Sequence, residues 1–430
     1  MEEKKEVQRK KWIKLDNAAK IYPATMSKTW TAMFRVSATL NEKIDPLCLQ
    51  KALERTVKRF PWLNMKLKRG FFWYYLEQID KEPRIQKDVA NPCIRMDVDG
   101  KDATMFRVRY HDCRIAVEFF HVLCDGTGGM CFLKTLVAEY IEEKYHEKVP
   151  RSETVLDCTE EPKEEHEDSF GKYSRNMTMS RSEAIAYRIK GTSRDMSQLN
   201  IITGMLSAAE VKAKAKAYGV TVTEFLVSAL IMAVYSVQQA EHSEKQRHLP
   251  VKISVPVNLR KYYPTKTLRN FSSYVTPGID PRYGEYTFEE VLKHVKSFMG
   301  METSEKLMNA RMSTNVDSER NFLVRVIPLF LKNPTLNFVF FMAGDRISST
   351  TISNLGVVKL NDVMKAHVNR MDFILGSLKI NPLACACVTC GDLMCVNFSR
   401  TIKESEVEKN FFSYLVKLGL HVKVESNRRY

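Results

Sequence analysis

The stretch Met105-Phe106-Arg107-Val108-Arg109-Tyr110-His111-Asp112-Cys113-Arg114-Ile115-Ala116-Val117-Glu118-Phe119-Phe120-His121-Val122-Leu123-Cys124-Asp125-Gly126 decides how this chain is read. Met105 to Tyr110 and Cys113 to Phe120 have strand-like composition and flank His111-Asp112, which predicts a hairpin with a two-residue turn. In that register Tyr110 opposes Cys113, Val108 opposes Ile115 and Phe106 opposes Val117, so one face is almost wholly apolar. Arg107, Arg109, Arg114 and Glu118 fall on the other face. His121 shares the parity of Ile115, Val117 and Phe119 and is therefore aimed at the interior where the strand ends.

Helical periodicity starts at Gly126 and continues through Leu133, Leu136, Val137, Tyr140 and Ile141. Upstream, Asp45 to Phe60 reads as an amphipathic helix that begins at Asp45-Pro46 and ends before Pro61. Leu63 to Arg69 and Phe71 to Leu76 read as strands around Gly70. Between about Glu147 and Arg181 the pattern stops and an acidic stretch, Glu160 to Asp168, takes over; it is read as the inter-domain linker. Beyond it, Ile201 to Leu206 is strand-like, and Ser207 to Tyr218 is a helix capped by Ser207 and closed by Gly219. Thr223 to Gln238 is a nearly all-apolar, buried helix. Val251 to Val257 is an interior strand, Phe288 to Met299 a helix, and Leu383 to Cys390 with Leu393 to Ser399 a hairpin turning on Gly391-Asp392. Strands and helices interleave in both halves, which predicts a two-domain α/β protein.

The chain's 430 residues exceed what one hydrophobic core usually serves, in agreement with two domains, 1–175 and 185–430. With 44% hydrophobic and 27% charged residues it has the mix of a globular protein. Phe225 to Val237 is too short to span a bilayer, and Pro328 to Met342 is interrupted by Lys332, Asn333 and Pro334, so no integral membrane association is expected. The mixed-charge start, Met1-Glu2-Glu3-Lys4-Lys5-Glu6, is followed by no apolar region and reads as cytoplasmic rather than secretory. The net charge of +15 favours anionic partners without choosing among them. No zinc-finger spacing, RNA-binding aromatic signature or compact basic helix accompanies it, so no nucleic-acid role is expected.

A lone inward histidine is more often a packed core residue than a catalyst. Here Asp125 follows four residues on, and Gly126-Thr127-Gly128-Gly129 lets the backbone turn and leaves room beside the ring. The segment resembles the His-x-x-x-Asp-Gly motif of the chloramphenicol acetyltransferase-like superfamily, which includes alcohol acyltransferases, wax ester synthases and nonribosomal peptide condensation domains. Several members carry two consecutive histidines; Phe120 stands at the first of these positions. The resemblance implies two similar domains of mixed sheets with flanking helices, and an active site in a tunnel between them. It implies that His121 is the general base and Asp125 an organiser of the loop. It also implies acyl-CoA, with acetyl-CoA the expected form, as co-substrate, a small alcohol or amine as acceptor, and no permanently bound cofactor.

Two further segments resemble the alcohol acetyltransferase branch: Val255 to Arg260 with Leu268-Arg269-Asn270-Phe271, and Ser353-Asn354-Leu355-Gly356. Ser353, read as a donor at a turn, is the candidate to stabilise an oxyanion, weighed evenly against a role in shaping that turn. Arg260, Lys261, Lys266 and Arg269 form a basic cluster suited to CoA phosphates, with Arg260, Lys261 and Arg269 the named candidates; Arg260 has the alternative of pairing with Asp125. Cys385, Cys387, Cys390 and Cys395 are close enough in sequence to suggest zinc, but the hairpin register puts 390 and 395 on one face and 385 and 387 on the other. No metal site is expected there. Competing readings are a condensation-type domain fed by a carrier protein, and a non-catalytic scaffold of the same fold.

Overall fold

A computed structural model describes residues 11–27, 30–98, 100, 103–175, 183–193 and 198–428. The central hairpin forms from Phe106–His111 and Arg114–Phe120. Its register is shifted by two residues from the expected one: Val108 opposes Val117 and Phe106 opposes Phe119. The turn falls on Asp112-Cys113 because Asp112 takes a φ of 48°, a left-handed conformation that aspartate tolerates. A shift of two keeps parity, so the faces stand as read. Phe106, Val108, Val117 and Phe119 enter the core, and Arg107, Arg109, Arg114 and Glu118 lie opposite with Arg35 and Asp88.

The hairpin sits in a five-stranded sheet ordered Val368–Leu375, Met33–Leu40, Arg114–Phe120, Phe106–His111, Gln86–Lys87. The first of these strands comes from the second half of the chain and pairs antiparallel with Met33–Leu40, Phe373 opposite Val36. The second half thus lends one strand to the first-half sheet, across the boundary expected near 175–185. A second sheet runs Ser272–Val275, Val251–Asn258, Thr350–Val358, Leu383–Cys390, Leu393–Arg400, Asn200–Ser207, Lys423–Ser426, with Gly278–Ile279 alongside Val251–Asn258. A small third sheet is made of Trp12–Lys14, Tyr74–Gln78 and Met65–Arg69.

The helices follow local chemistry. Pro46–Arg59 is capped by Asp45, whose carboxylate accepts from the amides of Leu47 and Cys48. Val222–Gln239 opens on a reciprocal capping box between Thr221 and Glu224. It is the one helix among the described residues long and apolar enough to cross a membrane, and most of it is buried in the second core. The acidic connection is pinned down: Glu165 pairs with Arg59, its carbonyl accepts from the amide of Leu268, and Tyr173 donates to the Pro264 carbonyl.

The hairpin Leu383–Cys390 with Leu393–Arg400 has the expected register, Cys390 opposite Leu393 and Val388 opposite Cys395, around Gly391 at φ 59°. Cys390 and Cys395 belong to the first core and Cys385 and Cys387 to the second. This sheet therefore has a hydrophobic core on each side, and the two cores meet through it.

Candidate active site

His121 lies just past the strand Arg114–Phe120, where its amide donates to the Ala32 carbonyl at 2.9 Å and ends the pairing with the neighbouring strand. Its ring is stacked on Tyr22, centroids 4.8 Å apart, and meets the edge of Phe34 at 5.2 Å. The inward orientation read from parity is the observed one.

The decisive contact comes from the other half of the chain. Nδ1 of His121 is 2.9 Å from Oδ1 of Asn270. The Asn270 amide nitrogen donates to the His121 carbonyl at 3.0 Å and to Asp16 Oδ2 at 3.2 Å. Both of those partners are acceptors, so the nitrogen and oxygen of the Asn270 amide are assigned by its neighbours. Oδ1 must then accept, Nδ1 must carry the proton, and Nε2 is left with a free lone pair. Burial pushes the His121 imidazole below its usual range, opposed by the nearby Asp125 carboxylate. The ring is thus neutral near pH 7, in the tautomer a base requires.

Asp16 carries the network one step further. Its Oδ1 accepts from the Ala19 amide at 2.7 Å, and Oδ2 lies 3.5 Å from Arg269 Nη2. Burial pushes the Asp16 carboxyl up to about 6, against the pull of Arg269.

Asp125 points away from the imidazole and into a buried knot. It caps the helix Gly126–Tyr145 by accepting from the Gly128 amide at 3.1 Å, accepts from the Phe271 amide at 3.0 Å, and meets Arg260 at 2.7 and 3.3 Å. Arg260 also donates to the carbonyls of Thr267 and Arg269 and to Asn258 Oδ1. Every N–H of that guanidinium is engaged within the protein, which leaves none for a phosphate. Arg269 is likewise buried, donating to the Lys14 carbonyl and facing Asp16. Of the expected phosphate ligands, Lys261 is exposed, as is Lys266, which lies 3.9 Å from Glu153. The basic cluster read from sequence therefore divides: its arginines join the two halves and its lysines face solvent.

The glycines after Asp125 serve close packing rather than a sharp turn. A Cβ at Gly128 would stand 2.0 Å from the Leu268 carbonyl oxygen, and one at Gly129 would stand 2.7 Å from the Phe34 ring. Ser353 lies within the strand Thr350–Val358, not at a turn; the irregularity comes afterwards, between Asn354 and Val357, where Gly356 has φ 74°. No described residue hydrogen-bonds the Ser353 hydroxyl. Asn354 is used locally, accepting from the Gly356 amide and donating to Thr223, while Leu355 packs against the first core beside Gly126. Two surface clefts, one along Met205, Ser207, Asp392 and Leu393 and one along Arg95 to Val98, contain none of the candidate residues.

No family model matches the chain, and no curated protein matches it. Solved structures do. F. graminearum TRI101 complexed with coenzyme A and T-2 mycotoxin aligns over 97% of this chain and 100% of its own, with a TM-score of 0.63 and 12% identity. The first condensation domain of the CDA synthetase covers 95% and 96%, with a TM-score of 0.60 and 12% identity. Polyketide synthase associated protein 5 from Mycobacterium tuberculosis covers 94% and 97%, with a TM-score of 0.59 and 10% identity. The chain has the two-domain condensation, or chloramphenicol acetyltransferase-like, fold. Within that fold His121 and Asp125 stand on the first half of the chain, and their partners Asn270 and Arg260 on the second.

The sequence reading names the segment of Asn270 but not its contact with His121. Asn270 is 149 residues from His121, and no local spacing marks it. Tyr22 and Asp16 were missed for the same reason.

Proposed function

We propose that the chain is an acyltransferase that moves an acyl group from CoA to an alcohol or amine, with His121 Nε2 as the base. The acceptor's O–H or N–H gives its proton to Nε2 as the heteroatom bonds to the thioester carbonyl carbon. The tetrahedral intermediate then collapses, the C–S bond breaks, and the imidazolium returns the proton to the leaving thiolate. The observation that carries this reading is the hydrogen bond from Nδ1 to Asn270, which presents Nε2 as the acceptor.

Asp125 has the organising role in this reading, and the Ser353 hydroxyl, which no described residue hydrogen-bonds, is our candidate donor to the oxyanion. Lys261 is our remaining candidate for the CoA phosphates. CoA as donor is favoured by the motif and by the TRI101 structures, which hold coenzyme A or ethyl coenzyme A. The likeness to a condensation domain keeps a carrier-bound donor as the second reading. All ten cysteines are free thiols, which supports a cytoplasmic, reducing location.

The reading is tested by thiol release from a panel of acyl-CoA donors offered alcohols and amines. Release that depends on the acceptor is expected, and silence across a broad panel would overturn CoA as the donor. Because the base must be neutral, kcat/KM falls as the pH drops, with a midpoint below 6.5, since burial disfavours the imidazolium. Asn270→Ala should lower kcat roughly 10- to 100-fold, the scale seen on removing partners that orient metal-bound histidines, which fix the ring's tautomer in the same way. Asn270→Asp sets a carboxylate against Nδ1, favours the imidazolium, and should move that acid limb to higher pH. A limb that stayed where it was would belong to a group other than His121.

A further inference from the structure

The helix Leu329–Ala343 has its polarity reversed for a surface helix. Phe330, Leu331, Phe338, Val339 and Met342 face solvent, with Phe330 61% and Phe338 64% exposed, while Lys332 is buried and lies over the Trp73 ring at 3.4 Å. The loop joining Met65–Arg69 to Tyr74–Gln78 extends this surface. The Leu329 amide donates to the Phe71 carbonyl and the Lys332 ammonium to the Phe72 carbonyl, both at 2.9 Å, and Phe71 is 68% exposed. Phe322, at 73%, and Ile327 continue it on the near side. A contiguous apolar surface of this kind on a folded chain marks a docking site.

Its charge chooses the occupant. Residues 321–344 contain Arg325 and Lys332 and no carboxylate, and residues 67–76 contain Lys68 and Arg69 and no carboxylate. Arg69 and Arg325 are exposed. Pairing two copies of this surface would set cations against cations with no carboxylate inside either segment to offset them, whereas anionic headgroups would meet the arginines as the phenylalanines enter the acyl boundary. We propose that this face, the helix Leu329–Ala343 with the Phe71-Phe72 loop, docks peripherally on a bilayer containing anionic phospholipid. The face adjoins the candidate site. Phe340 stacks on Trp30 at 5.2 Å, Trp30 lies 6.0 Å from Tyr22, and Tyr22 stacks on His121.

The test is sedimentation of the full chain with large vesicles of phosphatidylcholine alone and of phosphatidylcholine mixed with phosphatidylserine. The protein should pellet with the mixed vesicles and lose that binding in high salt. Phe330→Glu with Phe338→Glu should cut partitioning at least about tenfold, the cost of withdrawing two phenylalanines from an apolar phase. Arg69→Gln and Arg325→Gln should each cut it about fivefold. Thermal unfolding midpoints of these variants should match the parent, since the replaced side chains are exposed. The proposal is overturned if the parent ignores the mixed vesicles, or if the phenylalanine variants bind them equally. It is also overturned if the parent is a dimer that those variants turn into monomers, which would make a second copy the occupant.

Discussion

His121→Ala is expected to lower turnover roughly 10²- to 10⁴-fold, the usual contribution of a positioned general base. The loss should fall on kcat, because the proton transfer takes place in the transition state and the imidazole is a minor part of any binding surface. Removing the ring also strands Asn270 Oδ1, so a stability loss of about 1–3 kcal/mol accompanies it. Circular dichroism and an unfolding curve separate that loss from the kinetic one. Turnover within a few-fold of the parent, in a folded variant, would remove His121 from the chemistry. Loss of activity in this variant together with a shifted acid limb in Asn270→Asp would tie the base to its orienting partner.

The second large effect is on stability. Arg260→Met should destabilise the fold by about 3–5 kcal/mol, because it leaves the Asp125 carboxylate buried, 6% exposed, with its charge uncompensated. It also removes the donors to Thr267 and Arg269 that fold the following loop back on itself. Urea denaturation measures the cost. Pairing it with Asp125→Asn should recover part of the loss, since the stranded charge is then gone; a cycle of the two single variants and the double isolates the coupling. If Arg260 were instead a phosphate ligand, its replacement would weaken CoA binding and leave the urea midpoint in place.

The two effects are linked through one short segment. Arg260, the Arg269 carbonyl and the Phe271 amide hold Leu268 to Phe271 against Asp125, and Asn270 in the middle of that segment grips His121. Asp125 therefore acts on the imidazole in two ways: through its field, which favours the charged ring, and through the backbone it anchors. In the proposed reading, where Asp125 organises the loop and moves no proton, its loss still carries a large mutational effect. Gly128 belongs to the same arrangement, because only a residue without a Cβ lets the helix start lie against the Leu268 carbonyl.

Period-two alternation was enough to place His121 inward, to put Arg107, Arg109, Arg114 and Glu118 on the far face, and to divide the four clustered cysteines between the two sides of a sheet. Those properties survive a register error of two residues, which is why the misplaced hairpin turn did no harm to them. The helix cap at Ser207 was legible for a related reason, since a cap and the amide it satisfies lie within three residues of each other. The strand Val368–Leu375 crossing to the first sheet, the Asn270 grip on Nδ1 and the Arg260–Asp125 pair were decided only by the tertiary structure. Each joins groups more than a hundred residues apart, so its existence depends on how the two halves close on one another rather than on any spacing along the chain. The sequence by itself determined that a histidine would face inward beside an aspartate; the closing of the halves decided which nitrogen of that histidine is free to take a proton.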